Sequence, residues 1–327
     1  MSGPSSPPTI PGSGGAAAIE LRGVSVFYGE VVGLSNVSLS LGPGITGIVG
    51  PNGSGKTTLM RVLCGLLAPV EGEARVLGGK PFSDAAVRTR IALVPAGSSF
   101  HDDLSARRNL EVGFLARGES TGQARALADR ALELSRLTSV AKQRYGSLSR
   151  GTRQRVKLGL ALAARADLVL LDEPFLGVDP PNRRTLRDIM LEMGASGRTM
   201  LVSSHVLHEI ESLTDRVGVL AHGRLLGFGR IETLLRDLRD QHPHRVELHV
   251  EEPRRLAALL LGLPHVREVR VSSSDRIEFV TDRPESAYRE LAGLVVEAGT
   301  AVRRVEALDD GLEAVFRHVT EAGTKRL

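Results

Sequence analysis

The sequence predicts an α/β fold built on a mainly parallel β-sheet, and three observations predict it. Short, continuously apolar runs recur along the chain: Ile45-Thr46-Gly47-Ile48-Val49, Ile91-Ala92-Leu93-Val94, Leu168-Val169-Leu170-Leu171 and Thr199-Met200-Leu201-Val202-Ser203, with helical patterns between them. Strands that are apolar on both faces belong to covered sheets, and parallel sheets are of that kind. The first run opens into Gly50-Pro51-Asn52-Gly53-Ser54-Gly55-Lys56-Thr57, which fits G-x-x-x-x-G-K-[ST], a phosphate-holding loop between a strand and a helix. The chain is 327 residues long and its pattern breaks at Asp240-Gln241-His242-Pro243-His244. A second, smaller domain is therefore expected over residues 241–327, after a main domain over 19–240.

Composition narrows the class. The 42 basic and 38 acidic residues leave a net charge of only +4, an ordinary solvated surface, so no nucleic-acid partner is expected. A single cysteine excludes an internal disulfide. Cys64 lies among Val62, Leu63, Leu66 and Leu67 and reads as a core residue in a reducing compartment. No apolar run approaches the ~20 residues that span a bilayer, and no signal-peptide pattern opens the chain. The expectation is a soluble, cytoplasmic protein whose membrane role, if any, comes through a partner.

Taken in order, residues 1–18 are small and uncharged and read as a disordered tail. Order is expected from Ile19-Glu20-Leu21-Arg22-Gly23-Val24-Ser25-Val26, which alternates as a half-buried strand, with Phe27-Tyr28-Gly29 in a loop. Val37-Ser38-Leu39-Ser40-Leu41 alternates again, and Gly42-Pro43-Gly44 turns the chain toward the glycine loop. Leu59, Val62, Leu63 and Leu66 then recur at helical spacing, so a helix starts near Lys56. From about 97 to 147 the pattern is helical and polar, with Leu127, Ala131 and Leu134 on one face. A helix with an apolar stripe of Val156, Gly159, Leu160 and Ala163 follows Leu148-Ser149-Arg150-Gly151-Thr152. Val217-Gly218-Val219-Leu220 and Leu225-Leu226-Gly227-Phe228 read as a hairpin. Beyond 241 the elements spell β-α-β-β-α-β, the split βαβ order, and a closing helix is expected over 311–320.

The chemistry gathers at the ends of the apolar runs. Glycines let successive backbone N–H groups turn inward around an anion, and the helix that follows adds its positive end. Gly50, Asn52, Gly53, Ser54, Gly55, Lys56, Thr57 and Thr58 form the candidate nucleotide-binding set. Within it Lys56 reaches the β- and γ-phosphates, and the Thr57 hydroxyl is a Mg²⁺ ligand. Asp172-Glu173-Pro174 alone reads equally well as a polar turn. Downstream of such a loop, at the carboxyl end of a buried strand, Asp172 becomes a residue that holds Mg²⁺ through water, and Glu173 the base that polarises water. His205 ends the next strand and can bond a γ-phosphate. Ser149 and Gly151 precede a helix carrying Arg153, Arg155 and Lys157. That is either an N-cap on a solvated basic helix or a second anion-binding helix end that faces another subunit's nucleotide.

The spacing of Gly50–Thr58, Leu148–Thr152, Leu168–Glu173, Gly177-Val178-Asp179 and His205 resembles the ATP-binding cassette (ABC) ATPases, in the order Walker A, signature, Walker B, D-loop and switch histidine. The resemblance covers residues 19–235. It implies a P-loop NTPase cassette with an antiparallel β subdomain and a helical subdomain, ATP and Mg²⁺ as cofactors, and a membrane-spanning permease as partner, which would hold the protein at the inner face of the membrane. It also implies a dimer of cassettes, two copies of this chain or a mixed pair. By it, Tyr28 stacks on adenine, Ser149 and Gly151 touch the ATP of the opposite subunit, Asp179 links the two sites, and Lys56, Glu173 and His205 serve hydrolysis. Two positions depart from the family pattern. The signature, commonly LSGGQ, reads Leu148-Ser149-Arg150-Gly151-Thr152, and Ala96 stands after Pro95 where the family usually carries Gln. Leu308-Asp309-Asp310-Gly311-Leu312-Glu313-Ala314-Val315-Phe316 resembles the closing motif of daunorubicin-type exporter ATPases. The competing class is a non-transport ABC ATPase acting on ribosomes or DNA, which usually carries two cassettes or a long coiled-coil insertion.

Overall fold

The computed structural model describes residues 17–97, 100–164, 166–234 and 244–308. The chain divides into two compact units, Met1–Arg230 and Ile231–Leu327. The sequence boundary near 240, the tail through residue 16, the helix expected over 311–320 and all but the first residue of the closing motif lie outside the described residues.

In the first unit the continuous apolar runs form one sheet of six strands: β3 (Gly44–Val49), β5 (Ile91–Val94), β6 (Leu168–Asp172), β7 (Thr199–Ser204), β8 (Arg216–Ala221) and β9 (Arg224–Arg230). The order is β5-β6-β7-β3-β8-β9, parallel throughout except for the antiparallel β8–β9 hairpin. Every residue of β6 and β7 is buried, which is why these strands show no alternation. Register then fixes where the chemistry can sit. Val49 pairs with Ser204 and Asp172 with Ser203, so β3, β6 and β7 end at one level.

A second sheet, antiparallel, has the order β2-β1-β4, with β1 at Ile19–Tyr28, β2 at Val31–Leu41 and β4 at Glu71–Val76. Its alternation is that of a sheet with one face on the core. Ile19, Leu21, Leu34 and Leu39 share a cluster with Leu59, Met60, Val62 and Leu63 of helix α1 (Lys56–Leu63) and with Leu168, Leu170 and Leu201 of the parallel sheet. Each such leucine taken fully out of water contributes roughly 1.5–3 kcal/mol, so α1 is anchored to the core through four of its last five residues, Leu59, Met60, Val62 and Leu63.

Three details differ from the sequence reading. Tyr28 closes strand β1 rather than sitting in a loop, because β2 starts only three residues on and pairs Tyr28 with Val31. Helix α1 stops at Leu63, and Leu66 is exposed, since the chain leaves the helix through Gly65 at φ 75°. Cys64 is half-buried at the edge of the cluster; burial raises its thiol pKa above the usual value.

The helical region comprises α2 (Ala85–Thr89), α3 (Ala106–Ala116), α4 (Thr121–Leu134) and α5 (Arg150–Ala163), followed by α6 (Pro180–Ala195) and α7 (Leu207–Glu211). Side-chain caps start most of them: Asp84 for α2, Ser105 for α3, Ser120 with Gln123 as a capping box for α4, Ser149 for α5 and Asp179 for α6. The buried face of α4 is Ala124, Ala128, Ala131 and Leu132, with Leu127 and Leu134 only half-buried beside it. Small residues win the inner positions because α5 comes close: a side chain on Gly159 would sit 2.9 Å from the Ala131 carbonyl oxygen.

Over residues 244–308 the second unit forms a four-stranded antiparallel sheet, order β11-β12-β10-β13, with two helices: β10 (His244–Val250), α8 (Pro253–Leu261), β11 (Val266–Ser273), β12 (Arg276–Thr281), α9 (Pro284–Ala298) and β13 (Val302–Ala307). This is the split βαβ arrangement. Val246, Leu248, Val250, Leu256, Leu260, Ile277, Phe279 and Leu291 make its core.

Candidate functional site

The common level of β3, β6 and β7 puts three chain ends side by side, as expected where an open α/β sheet binds its ligand. After Val49 the chain turns through residues 50–55 and enters α1. Gly55 sits at φ 107°, a conformation that disfavours any side chain, and a Cβ there would meet the Gly33 carbonyl. Because Gly55 caps α1 without a side chain, the first N–H groups of the helix point into the loop without an internal partner. The buried Ser54 hydroxyl points there too, without a hydrogen-bond partner among the described residues. The Lys56 ammonium crosses the loop, donating to the carbonyls of Gly50 at 2.5 Å and Pro51 at 3.1 Å.

From β6 come Asp172 and Glu173. Asp172 accepts from Thr57 Oγ1 at 2.9 Å through Oδ2 and from Ser203 Oγ at 2.6 Å through Oδ1. Ser203 Oγ in turn accepts from the Glu173 backbone N–H at 3.0 Å. Glu173 adopts φ 49°, rare for a residue with a side chain, and a local conformation of this kind persists only where its surroundings enforce it. Here the turn throws its carboxylate back into the site. Oε1 lies 3.3 Å from Lys56 Nζ, and Oε2 lies 2.8 Å from Nδ1 of His205, the residue after β7.

Sequence reasoning singled out Lys56, Thr57, Asp172, Glu173 and His205, and the fold brings all five together. It missed Ser203, which orders Asp172 and Glu173, and the pair Ser204–Glu209. Ser204 Oγ donates to Glu209 Oε2 at 2.6 Å and accepts from the Val206 N–H at 3.0 Å, fixing the turn that carries His205. The available signal was two serines closing an otherwise apolar buried strand.

Tyr28 reaches the same region from the antiparallel sheet. A side chain on Gly33 would lie 2.9 Å from the Tyr28 ring and 3.1 Å from the Thr58 methyl, so the half-exposed ring stands next to the start of α1. Asn52 and Gly53 are exposed on the outer rim of the loop.

Ser149, Gly151 and Asp179 form a second group. Ser149 caps α5, accepting from the Thr152 N–H at 3.2 Å. Asp179 caps α6 and accepts from Asn182 Nδ2 at 2.7 Å. That side-chain hydrogen bond, chiefly, lowers the Asp179 pKa below its ordinary value. Gly151 backs onto Asn182: an added Cβ would come within 2.6 Å of the Asn182 Cβ, so the two helix starts touch only because Gly151 has no side chain. Among the described residues no hydrogen bond or ion pair joins this group to Lys56 or Glu173. The basic helix of the sequence reading also needs correction. Arg153 donates to the Leu148 and Gly146 carbonyls, and Lys157 is buried, so α5 is not a solvated basic face.

Thr57 and Asp172 fit a small hard cation. Their oxygens, 2.9 Å apart and joined by a hydrogen bond, are hard donors of the kind such a cation takes. In the second unit Glu247, His249 and Glu306 bring their ligand atoms within 4.8 Å of one another. There Glu247 bonds His249 at 2.9 Å and Arg304 pairs with Glu306 at 3.1 Å, so each of the three side chains already has a protein partner.

Glycine loop, paired carboxylates and histidine at the carboxyl end of one parallel sheet define a P-loop nucleotide-binding cassette. The chain belongs to the ABC transporter ATP-binding family, whose sequence pattern matches residues 34–176, and is an ATPase of that class. It is 33% identical over 310 residues, 93% of this chain and 96% of the relative, to the daunorubicin resistance ATP-binding protein DrrA3 of Streptomyces coeruleorubidus. It is 32% identical over 286 residues, 87% of this chain and 84% of the relative, to the Nod factor export ATP-binding protein I of Rhizobium meliloti (strain 1021). Among solved structures, an ATP-binding subunit of an ABC transporter superposes with a TM-score of 0.60 at 26% identity, covering 68% of this chain and 93% of that one. A dimeric bacterial ABC transporter cassette gives 0.59 at 25% identity, covering 65% and 98%.

Proposed function

We propose that this chain is the ATP-hydrolysing subunit of an exporter of drug-like or other small molecules, working as a head-to-tail pair of cassettes beneath a separate membrane-spanning permease at the inner membrane face. The observation that carries the reading is the convergence of Lys56, Glu173 and His205, at 3.3 and 2.8 Å, over a glycine loop that opens a helix. The relatives named for daunorubicin resistance and Nod factor export favour an exporter over a cassette working on ribosomes or DNA.

In this reading the loop N–H groups and Lys56 hold the β- and γ-phosphates, and Lys56 leaves the Gly50 and Pro51 carbonyls to do so. Tyr28 lies against adenine. Thr57 and Asp172 would hold Mg²⁺, which would supply positive charge to the phosphates. Glu173, freed from Lys56, accepts the proton of the attacking water. His205, held through Nδ1 by Glu173, presents Nε2 to the γ-phosphate. Catalysis is thus positioning and charge stabilisation. Ser149 and Gly151 of a second copy close over the same γ-phosphate from the end of α5, and Asp179 ties the two sites.

Glu173→Gln is expected to keep ATP binding within about two-fold and to lower kcat by about 10²–10⁴, the usual contribution of a general base. A wild-type hydrolysis rate in that variant would remove Glu173 from its role. Purification of the tagged chain from detergent-solubilised membranes is expected to bring a multi-span protein; recovery with ribosomes instead would reverse the exporter assignment. No helix among the described residues is long and apolar enough to cross a membrane.

A further inference from the structure

Lys157 is a buried cation that the roles above leave unused. It sits on α5, two turns from the Ser149 cap, with 6% of its surface exposed. Its ammonium donates to three carbonyls of one segment: Pro95 at 2.8 Å, Gly97 at 2.9 Å and Ala96 at 3.5 Å. The match is chemical. An ammonium has three donors and no acceptor. Pro95 has no N–H, and Ala96 and Gly97 have no polar side chain, so what the segment offers an ammonium is its three carbonyl oxygens.

Position gives the contact a consequence. The segment leaves β5 directly after Val94, and Val94 pairs with Leu171, the residue before Asp172. The Asp172 carboxylate acts on Lys157 through space, as does Arg150 on α5 with the opposite sign. No carboxylate of α3, α4, α6 or β5 forms an ion pair with it among the described residues. Lys157 therefore joins three things: the helix that begins at Ser149, the segment 95–97, and the sheet edge that carries Asp172 and Glu173.

We propose that Lys157 is a positioning residue for hydrolysis, a latch whose ammonium holds segment 95–97 and the start of α5 in fixed relation to Asp172 and Glu173. Ala96 makes the latch necessary, because its methyl group offers that segment no bond of its own to α5 or to the sheet edge. This rests on the reading that the end of β6 is the hydrolytic centre. It assigns the control of that centre to a cation that touches neither phosphate nor water.

Burial, opposed only in part by Asp172, lowers the Lys157 pKa from 10.5 to about 8. The ammonium is therefore intact below pH 8 and lost as pH rises through it, and with it the charge-assisted bonds to the carbonyls. An arginine keeps its charge throughout this range.

The test is the pH profile of ATP hydrolysis by the full chain with MgATP, together with amide exchange at residues 96 and 97. The wild type is expected to lose kcat above pH 8 at unchanged KM. Lys157→Met is expected to lower kcat at pH 7 at least ten-fold, leave KM for ATP within two-fold, abolish the alkaline limb and speed exchange at 96 and 97. Lys157→Arg is expected to restore kcat to within three-fold and to hold it above pH 8. If Lys157→Met hydrolyses within two-fold of wild type at pH 7, or if Lys157→Arg stays as impaired as Met while melting normally, the latch is refuted. A Glu173→Gln variant run alongside separates the two ideas. If it keeps the wild-type rate, the hydrolytic centre is misplaced, whatever Lys157 does.

Discussion

Two polar groups of this chain look alike in sequence and differ in construction. Lys56, Thr57, Asp172, Glu173, His205 and Ser203 come from three separate stretches, and each is held by another through bonds of 2.6–3.3 Å. Ser149 and Asp179 bond only within their own first helical turns, lie exposed, and meet through the Gly151–Asn182 contact. One group is finished within the chain. The other is rigidly prepared and faces outward, which is the construction expected of a surface completed by a second copy.

That contrast can be broken at either end. Lys56→Ala strikes the finished group and is expected to weaken ATP binding at least about a hundred-fold, some 2.7 kcal/mol, by calorimetry; undiminished binding would mean the loop holds no triphosphate. Gly151→Ala forces a Cβ onto Asn182 and should cost about 1–3 kcal/mol of stability, as overpacking does, read as a lower Cm in denaturant at unchanged ATP affinity. Ser149→Ala is the mildest change and sharpens the comparison most. Loss of its cap costs about 1 kcal/mol, yet ATP affinity of the single chain should stay within two-fold while hydrolysis falls at least ten-fold. Equal losses in both would place Ser149 on its own chain's nucleotide.

How much of this was legible in the sequence follows from burial. β3, β5, β6 and β7 were readable because strands covered on both faces must be apolar throughout, and the hairpin β8–β9 because of its central His222-Gly223. Strand β4 was not: Glu71-Gly72-Glu73-Ala74-Arg75-Val76 buries only Ala74 and Val76, and its partner β1 lies some fifty residues upstream. Tyr28 looked like a loop residue since nothing local reveals that Val31 pairs with it. For the site, motif spacing singled out Lys56, Thr57, Asp172, Glu173 and His205, which the fold brings together, but not the residues that act from behind. Ser203 and Glu209 are polar groups satisfied by partners elsewhere in the fold, and Lys157 was grouped with Arg153 and Arg155 on a helix read as either a solvated basic face or an anion-binding end. Whether a lysine snorkels outward or turns in to three carbonyls depends on where segment 95–97 runs, and that is a property of the assembled sheet.

The direct test of the central claim is the mass of Glu173→Gln protein in solution, by sedimentation with and without MgATP. The account predicts a monomer without nucleotide, a dimer with MgATP, and a monomer in both conditions once Ser149→Ala is added. A Glu173→Gln chain that binds ATP and stays monomeric, or one that dimerises equally well without Ser149, would contradict it.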